Sequence, residues 1–369
     1  MSLEKARVYP TGGRNRGIDL LRLVSMFYVV LLHTLTQGGV LAAAPAGAMS
    51  YRVSWLLFAW TQSAVDIFAL ISGYVTYTDR EKPVNYAGYF TLWLQAVFYG
   101  LAGTLVTLAL RPQWVGKWDL FQDFFPATGG RYWYFTSYTG LFALMPLLNA
   151  GLRKISRRTA RSLFFAIILV FSLMEMPTER FYLVHGYSPL WIILLYLLGS
   201  IVKKCRIGER VPPVAAAGGI VALTVGIVAW KDTFPTFRVG DLFYWGDIFI
   251  TFTSPAVLTA ALLHLFLFSR LSLPRWLEKA VDFCAPGAFA AYLLNTHMVM
   301  WDHVLPGRFA YLGVGGASTL LAVSLGFSLA FVAASVLIDR LRQALFRLLH
   351  VRQGTERFAC WLRRTVGKL

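Results

Sequence analysis

The chain has 369 residues, of which 57% are hydrophobic and 14% charged, and its mean hydropathy is +0.57. Soluble domains of this size carry about a quarter charged residues, so a single aqueous core is excluded and most apolar surface must face lipid or other helices. The net charge of +17 does not point to nucleic acid, because Lys and Arg sit in short clusters between apolar runs, which is the pattern of membrane topology.

The chain opens on a basic arm, residues 1–16. Apolar windows of membrane-spanning length follow at 17–37, 53–77, 87–110, 132–152, 162–176, 187–202, 211–230, 243–268, 284–304 and 315–338. A crossing needs about 20 apolar residues for a ~30 Å hydrocarbon core, and 162–176 is short for that. With the N-terminus inside, the cytoplasmic segments hold 26 Lys and Arg and the opposite loops eight, with Arg22 inside the first window. That bias predicts both termini in the cytoplasm and an even number of crossings. Ala42-Ala43-Ala44 resembles a signal-peptide cleavage site. The run before it is too long for one and contains Asp19, Arg22 and His33, so it reads as a retained first span. Beyond 338, the spacing of Arg340, Leu341, Arg342, Leu345, Arg347, Leu348 and Leu349 predicts a basic amphipathic helix lying on an anionic membrane surface. The expected fold is therefore an all-α integral membrane protein of about ten helices, with a membrane domain at 17–338 and a basic cytoplasmic tail at 339–369. Three scattered cysteines support neither a disulfide framework nor a metal site.

Ionisable groups inside a span are costly and mark candidate sites. Arg22 and His33 are eleven residues apart, which returns to within about 20° of one helical face; Asp19 lies within about 40° of His33. One stripe of the first helix thus carries an acid and a base near one end and a histidine ~16 Å further along. It should line a cavity or a polar seam, although Arg22 also reads as a snorkelling side chain paired with Asp19. The second span adds Gln62 and Asp66, a mid-membrane carboxylate that needs a partner. Its Ser72-Gly73 reads as a small-residue packing contact in preference to a nucleophile. No Gly-x-Ser-x-Gly elbow or zinc-binding HExxH motif is present. Arg131, Tyr132, Trp133, Tyr134 and Tyr138 open the fourth span, and Asn295, His297, Trp301, Asp302 and His303 end the ninth. These clusters read either as an aromatic belt or as a sugar-binding mouth, since amphipathic rings suit pyranose faces. His297 and His303 are about 120° from a shared face, which disfavours metal binding.

At these residues the chain resembles a known family. RNRGIDLLRLVSMFYVVLLHTLTQGG is similar to the opening helix of the membrane-bound acyltransferase-3 family, with its Arg-x10-His spacing at Arg22 and His33. VDIFALISGYVTY resembles the second-helix pattern, RYWYFTSYTGLFALMPLLN the Trp-containing fourth helix, and AYLLNTHMVMW the ninth-helix YLLH-type pattern. The resemblance implies ten helices and transfer of an acyl group, often acetyl, from cytoplasmic acyl-CoA to a hydroxyl of an extracytoplasmic saccharide or lipid-linked glycan at the bacterial inner membrane. It implies that His33 is the essential histidine and Arg22 its basic partner. Asn295 stands where many members have His, with His297 nearby. No SGNH-type domain follows in this chain, so the resemblance implies completed transfer or hand-over to a separate protein.

Acyl-CoA carries phosphates, so Arg14, Arg16, Arg22 and Lys82, with Asp19 among them, are the expected donor-binding groups. His33 is expected as general base, with Asp66 orienting it and an acyl-histidine route left open. Arg131, Trp133, Tyr134, Tyr138, Asn295 and His297 are the expected acceptor-binding residues. No metal is expected. The rival reading is a transporter or flippase using the same polar stripe as its path.

Overall fold

In the computed structural model, residues 14–177, 179–234, 238–239 and 243–366 are described. The basic arm before Arg14 and the last three residues lie outside them. The described chain is helical throughout, apart from a two-residue antiparallel ladder that pairs β1 (Arg238–Val239) with β2 (Phe243–Tyr244).

The helices run in chain order as α1 (Arg16–Leu35), α2 (Val40–Ala43), α3 (Met49–Thr61), α4 (Ala64–Thr76), α5 (Tyr86–Leu110) and α6 (Lys117–Phe124). Next come α7 (Trp133–Lys154), α8 (Arg157–Ile168), α9 (Pro189–Cys205), α10 (Pro213–Thr233) and α11 (Pro255–Phe268). The chain closes with α12 (Arg275–Cys284), α13 (Ala288–Asn295), α14 (Ala310–Val314), α15 (Ala317–Leu348) and α16 (Val351–Val366). Every apolar window read from the sequence contains a helix. Among the described residues, five stretches are long and apolar enough to cross a membrane: Arg16–Ala43, Met49–Thr76, Tyr86–Leu110, Pro213–Thr233 and Ala317–Leu348. The protein therefore has a multi-pass membrane character.

Local chemistry sets where the helices begin. Ser188 and Ser254 each accept a hydrogen bond from a backbone N–H three residues on, and Pro189 and Pro255 follow at the first helical position. Asn15 does double duty at the start of α1. Its Oδ1 accepts from Ile18 N–H at 3.1 Å, while its Nδ2 donates to Ser269 O at 2.8 Å, which ties α1 to the end of α11.

The closest helix pair is α4 with α9. A Cβ on Gly73 would lie 1.9 Å from Tyr196 O, and one on Gly199 would lie 2.0 Å from Leu70 O. Only glycine allows these backbones to meet. Ser200 Oγ then donates to Gly73 O at 3.2 Å across the seam, so Ser72-Gly73 is the packing contact that its small residues predicted.

The tail differs from expectation. Helix α15 runs unbroken from Ala317 through Asp339 to Leu348, so the tail expected at 339–369 begins inside it. Arg342, expected on a basic surface face, is buried against Asp339. Leu341, Leu345 and Leu348 are exposed. A separate helix, α16, folds back on α5, with Phe358 edge-on to Phe90 at 4.7 Å and Arg363 donating to Val84 O at 3.0 Å.

Candidate active site

Helix α1 carries the stripe that the sequence predicted, and its two ends meet different surroundings. At the N-terminal end, Arg22 Nη1 donates to Asp19 Oδ1 at 2.7 Å, and Arg14 Nε donates to Asp19 Oδ2 at 2.5 Å. Helix α12 supplies further acids: Arg14 pairs with Asp282 at 3.4 Å, and Arg16 with Asp282 at 3.1 Å and Glu278 at 3.4 Å. Asp19 is buried, whereas the Arg14 and Arg16 side chains are 50% and 41% exposed and keep donors free. Lys82 is exposed beyond α4 and takes no part in this cluster.

At the other end, His33 faces Asn295. Its Nδ1 donates to Asn295 Oδ1 at 2.5 Å, which places the ring proton on Nδ1 and leaves the Nε2 lone pair free. The Trp301 ring meets the imidazole edge-on at 4.8 Å. Backbone contacts hold this corner together: Gly307 N–H donates to Gln37 O at 3.0 Å, Phe309 N–H to Gly38 O at 2.8 Å, and Gln37 Nε2 to Trp301 O at 3.0 Å. Helix α13 stops at Asn295, and the chain resumes as a π-helical turn over Val299–Val304. That break turns Trp301 and Asp302 toward the end of α1, and interruptions of this kind recur at functional sites.

His33 lines a cavity of about 520 Å³. From α1 it takes Met26, Val29, Leu32 and His33; from α4, Ala64, Val65 and Phe68; from α13, Phe289 and Tyr292. Arg131, Trp133 and Tyr134 join them, as do Trp118, Asp119 and Gln122 of α6 and Trp301 and Asp302 beyond α13. Arg22 is not in the lining, which ends at Met26, one turn above it. Arg22 and its partner Asp19 therefore stand apart from the cavity that His33 lines. Tyr138 also lies outside the cavity wall, one turn along α7 from Tyr134 and within electrostatic reach of both Tyr134 and Arg22.

The structure reassigns several residues. Asp66 does not reach His33; it is fully buried, and its Oδ1 accepts from Trp191 Nε1 at 3.0 Å. The orienting position at the imidazole belongs to Asn295, which lies behind the ring and not in the cavity wall. His297 is buried against α5, where its Nε2 meets Gly100 O at 3.2 Å and its Nδ1 accepts from Val299 N–H. The tight approach to Gly103, where a Cβ would sit 2.5 Å from Nε2, fixes it as a packing residue. Arg131 lines the cavity but directs three of its five N–H groups at the protein, at 2.5 Å to Asp119, 2.8 Å to Asp123 and 2.8 Å to Gln122. It holds α6 over the mouth.

Trp118, Asp119 and Gln122 were missed in the sequence because they fall between apolar windows. Their signal is a short amphipathic run, Lys117–Phe124, whose polar and aromatic groups at i, i+1 and i+4 share one face.

An imidazole with one nitrogen fixed and the other open to a cavity is equipped to accept a proton from a bound hydroxyl. The comparisons bear on which reaction uses it. The acyltransferase-3 family model, described as an acyltransferase domain, matches residues 15–340. No curated protein and no solved structure matches the chain. The matched segment contains α1, the cavity and the Asn295 corner, and the chain belongs to the acyltransferase-3 family of membrane acyltransferases.

Proposed function

We propose that this protein transfers an acyl group, most simply acetyl, from cytoplasmic acyl-CoA to a hydroxyl of an extracytoplasmic saccharide in the bacterial cell envelope. The reading is carried by one observation: His33 Nδ1 is committed to Asn295, and the ring lines an aromatic-walled cavity. A saccharide hydroxyl placed there gives its proton to Nε2 as its oxygen attacks the thioester carbonyl carbon. The carbon–sulfur bond then breaks, and the CoA thiolate takes the proton back from the imidazolium. Asn295 keeps the ring in the tautomer that makes Nε2 the base, the role that a fixed acceptor plays behind any catalytic imidazole.

The donor approaches from the opposite end of α1. Arg14 and Arg16 offer phosphate contacts at the surface, with Asp19, Asp282 and Glu278 holding them in place. The pantetheine arm then follows α1 past Arg22 and Tyr138, and side-chain movement there opens the way to Met26. In this reading the ten windows are ten crossings with both termini in the cytoplasm, supported by the 26-to-8 distribution of Lys and Arg.

The test is reconstitution in proteoliposomes with labelled acetyl-CoA on one side and an oligosaccharide on the other. An acetyl ester on the saccharide, with matching release of CoA, is the expected result. Movement of a polar cargo without CoA turnover would overturn the proposal. Mass spectrometry of envelope glycans with and without the gene then reads the acyl mass and the acceptor together.

A further inference from the structure

The lining of the His33 cavity carries more chemistry than the transfer step uses. Besides His33, its ionisable residues are Asp119, Asp302 and Arg131, and Arg131 is already neutralised by Asp119 and the fully buried Asp123. The wall is therefore net acidic. The exposed cations nearby in sequence, Arg111, Lys117 and Arg308, are outside the lining. Asp302 has no ion pair or hydrogen bond among the described residues, so its carboxylate is free to accept from a ligand. Tyr134 lines the cavity with its ring, while its hydroxyl is buried away from it. Trp118 stacks beside Phe121 at 4.8 Å and is 63% exposed, which leaves it a free indole face.

We propose that Trp118, Asp119 and Asp302 form the acceptor subsite, and that it takes an uncharged pyranoside with neighbouring hydroxyls in preference to a uronate or phosphorylated sugar. The inference rests on the reading of the cavity as the place of acyl transfer to a saccharide, and it names the saccharide's class. Carboxylates accept from paired hydroxyls, an indole face covers the apolar face of a sugar ring, and a second anion beside Asp119 and Asp302 meets repulsion. Arg131 does not rescue an anionic sugar, because Asp119 and Asp123 already offset its charge. Helix α6 is kept in position by that same network, together with Gly116 N–H donating to Asp119 Oδ2 at 2.7 Å.

The experiment uses the full-length protein in nanodiscs with labelled acetyl-CoA and two acceptor oligosaccharides of equal length, one neutral and one uronate-bearing. The neutral acceptor is expected to show at least a tenfold higher kcat/KM. Trp118→Ala is expected to raise the acceptor KM about fivefold while the KM for acetyl-CoA stays unchanged. Asp302→Asn alters an exposed side chain, spares the fold, and is expected to narrow the gap between the two acceptors severalfold. A preference for the uronate, or acceptor constants indifferent to both substitutions, overturns the subsite while transfer itself stands. Absence of transfer to either acceptor overturns the acyltransfer reading and the subsite with it.

Discussion

Two polar centres on this bundle are built in opposite ways. Asp339 is fully buried on α15 and accepts from Gln95, Tyr99, Gln343 and twice from Arg342, at 2.6–3.1 Å. Every lone pair that matters is taken, and the groups that take them come from α5 and α15. His33 has one hydrogen-bond partner, Asn295, and its remaining surface opens on a cavity. The saturated centre fastens helices; the unsaturated one is left with a nitrogen to use. Asp339 is fully buried and His33 partly so, and the count of side-chain partners separates structure from chemistry.

The largest effect that would sharpen this contrast is on stability. Asp339→Ala strands the buried Arg342 guanidinium and should cost about 3–5 kcal/mol, read as a loss of thermal stability in detergent. Turnover per folded molecule should hold, since nothing in that network touches the cavity. Asn295→Ala should do the reverse, lowering kcat on the order of a hundredfold through the freed imidazole while thermal stability changes little. If Asn295→Ala unfolds the protein at full specific activity, the contrast is broken. The smallest of these effects belongs to Arg131→Lys, because an ammonium cannot reproduce three directed contacts. It should loosen α6 and reduce acceptor kcat/KM about tenfold, with acetyl-CoA hydrolysis by water unaltered.

What the sequence made legible followed from local periodicity. The face shared by Arg22 and His33 is one helix's own geometry, so their alignment could be read, and so could the Asp19–Arg22 pair three residues apart. The small-residue contact at Ser72-Gly73 was equally local. Pairings between helices were not legible. His33 and Asn295 are 262 positions apart and Asp66 and Trp191 are 125 apart, and a single sequence gives no register between such helices. That is why Asp66 was assigned to the imidazole and Asn295 to the acceptor. Helix α6 escaped notice for a different reason: an eight-residue amphipathic segment is too short to stand out among spans three times its length.

The separation of Arg22 from the cavity also has a physical reading. In the proposed reading, the separation of Arg22 from the cavity keeps the two compartments apart until the pantetheine arm opens the way. In that same reading the two ends of the stripe act in sequence on one substrate pair, the guanidinium cluster toward phosphates and the imidazole toward the hydroxyl.

The most direct test is acyl transfer by His33→Ala, measured per folded molecule beside the unsubstituted protein under saturating acetyl-CoA and acceptor. The account predicts a fall of roughly a thousandfold with an unchanged unfolding temperature. Transfer within tenfold of the unsubstituted rate would contradict it and remove His33 from the chemistry.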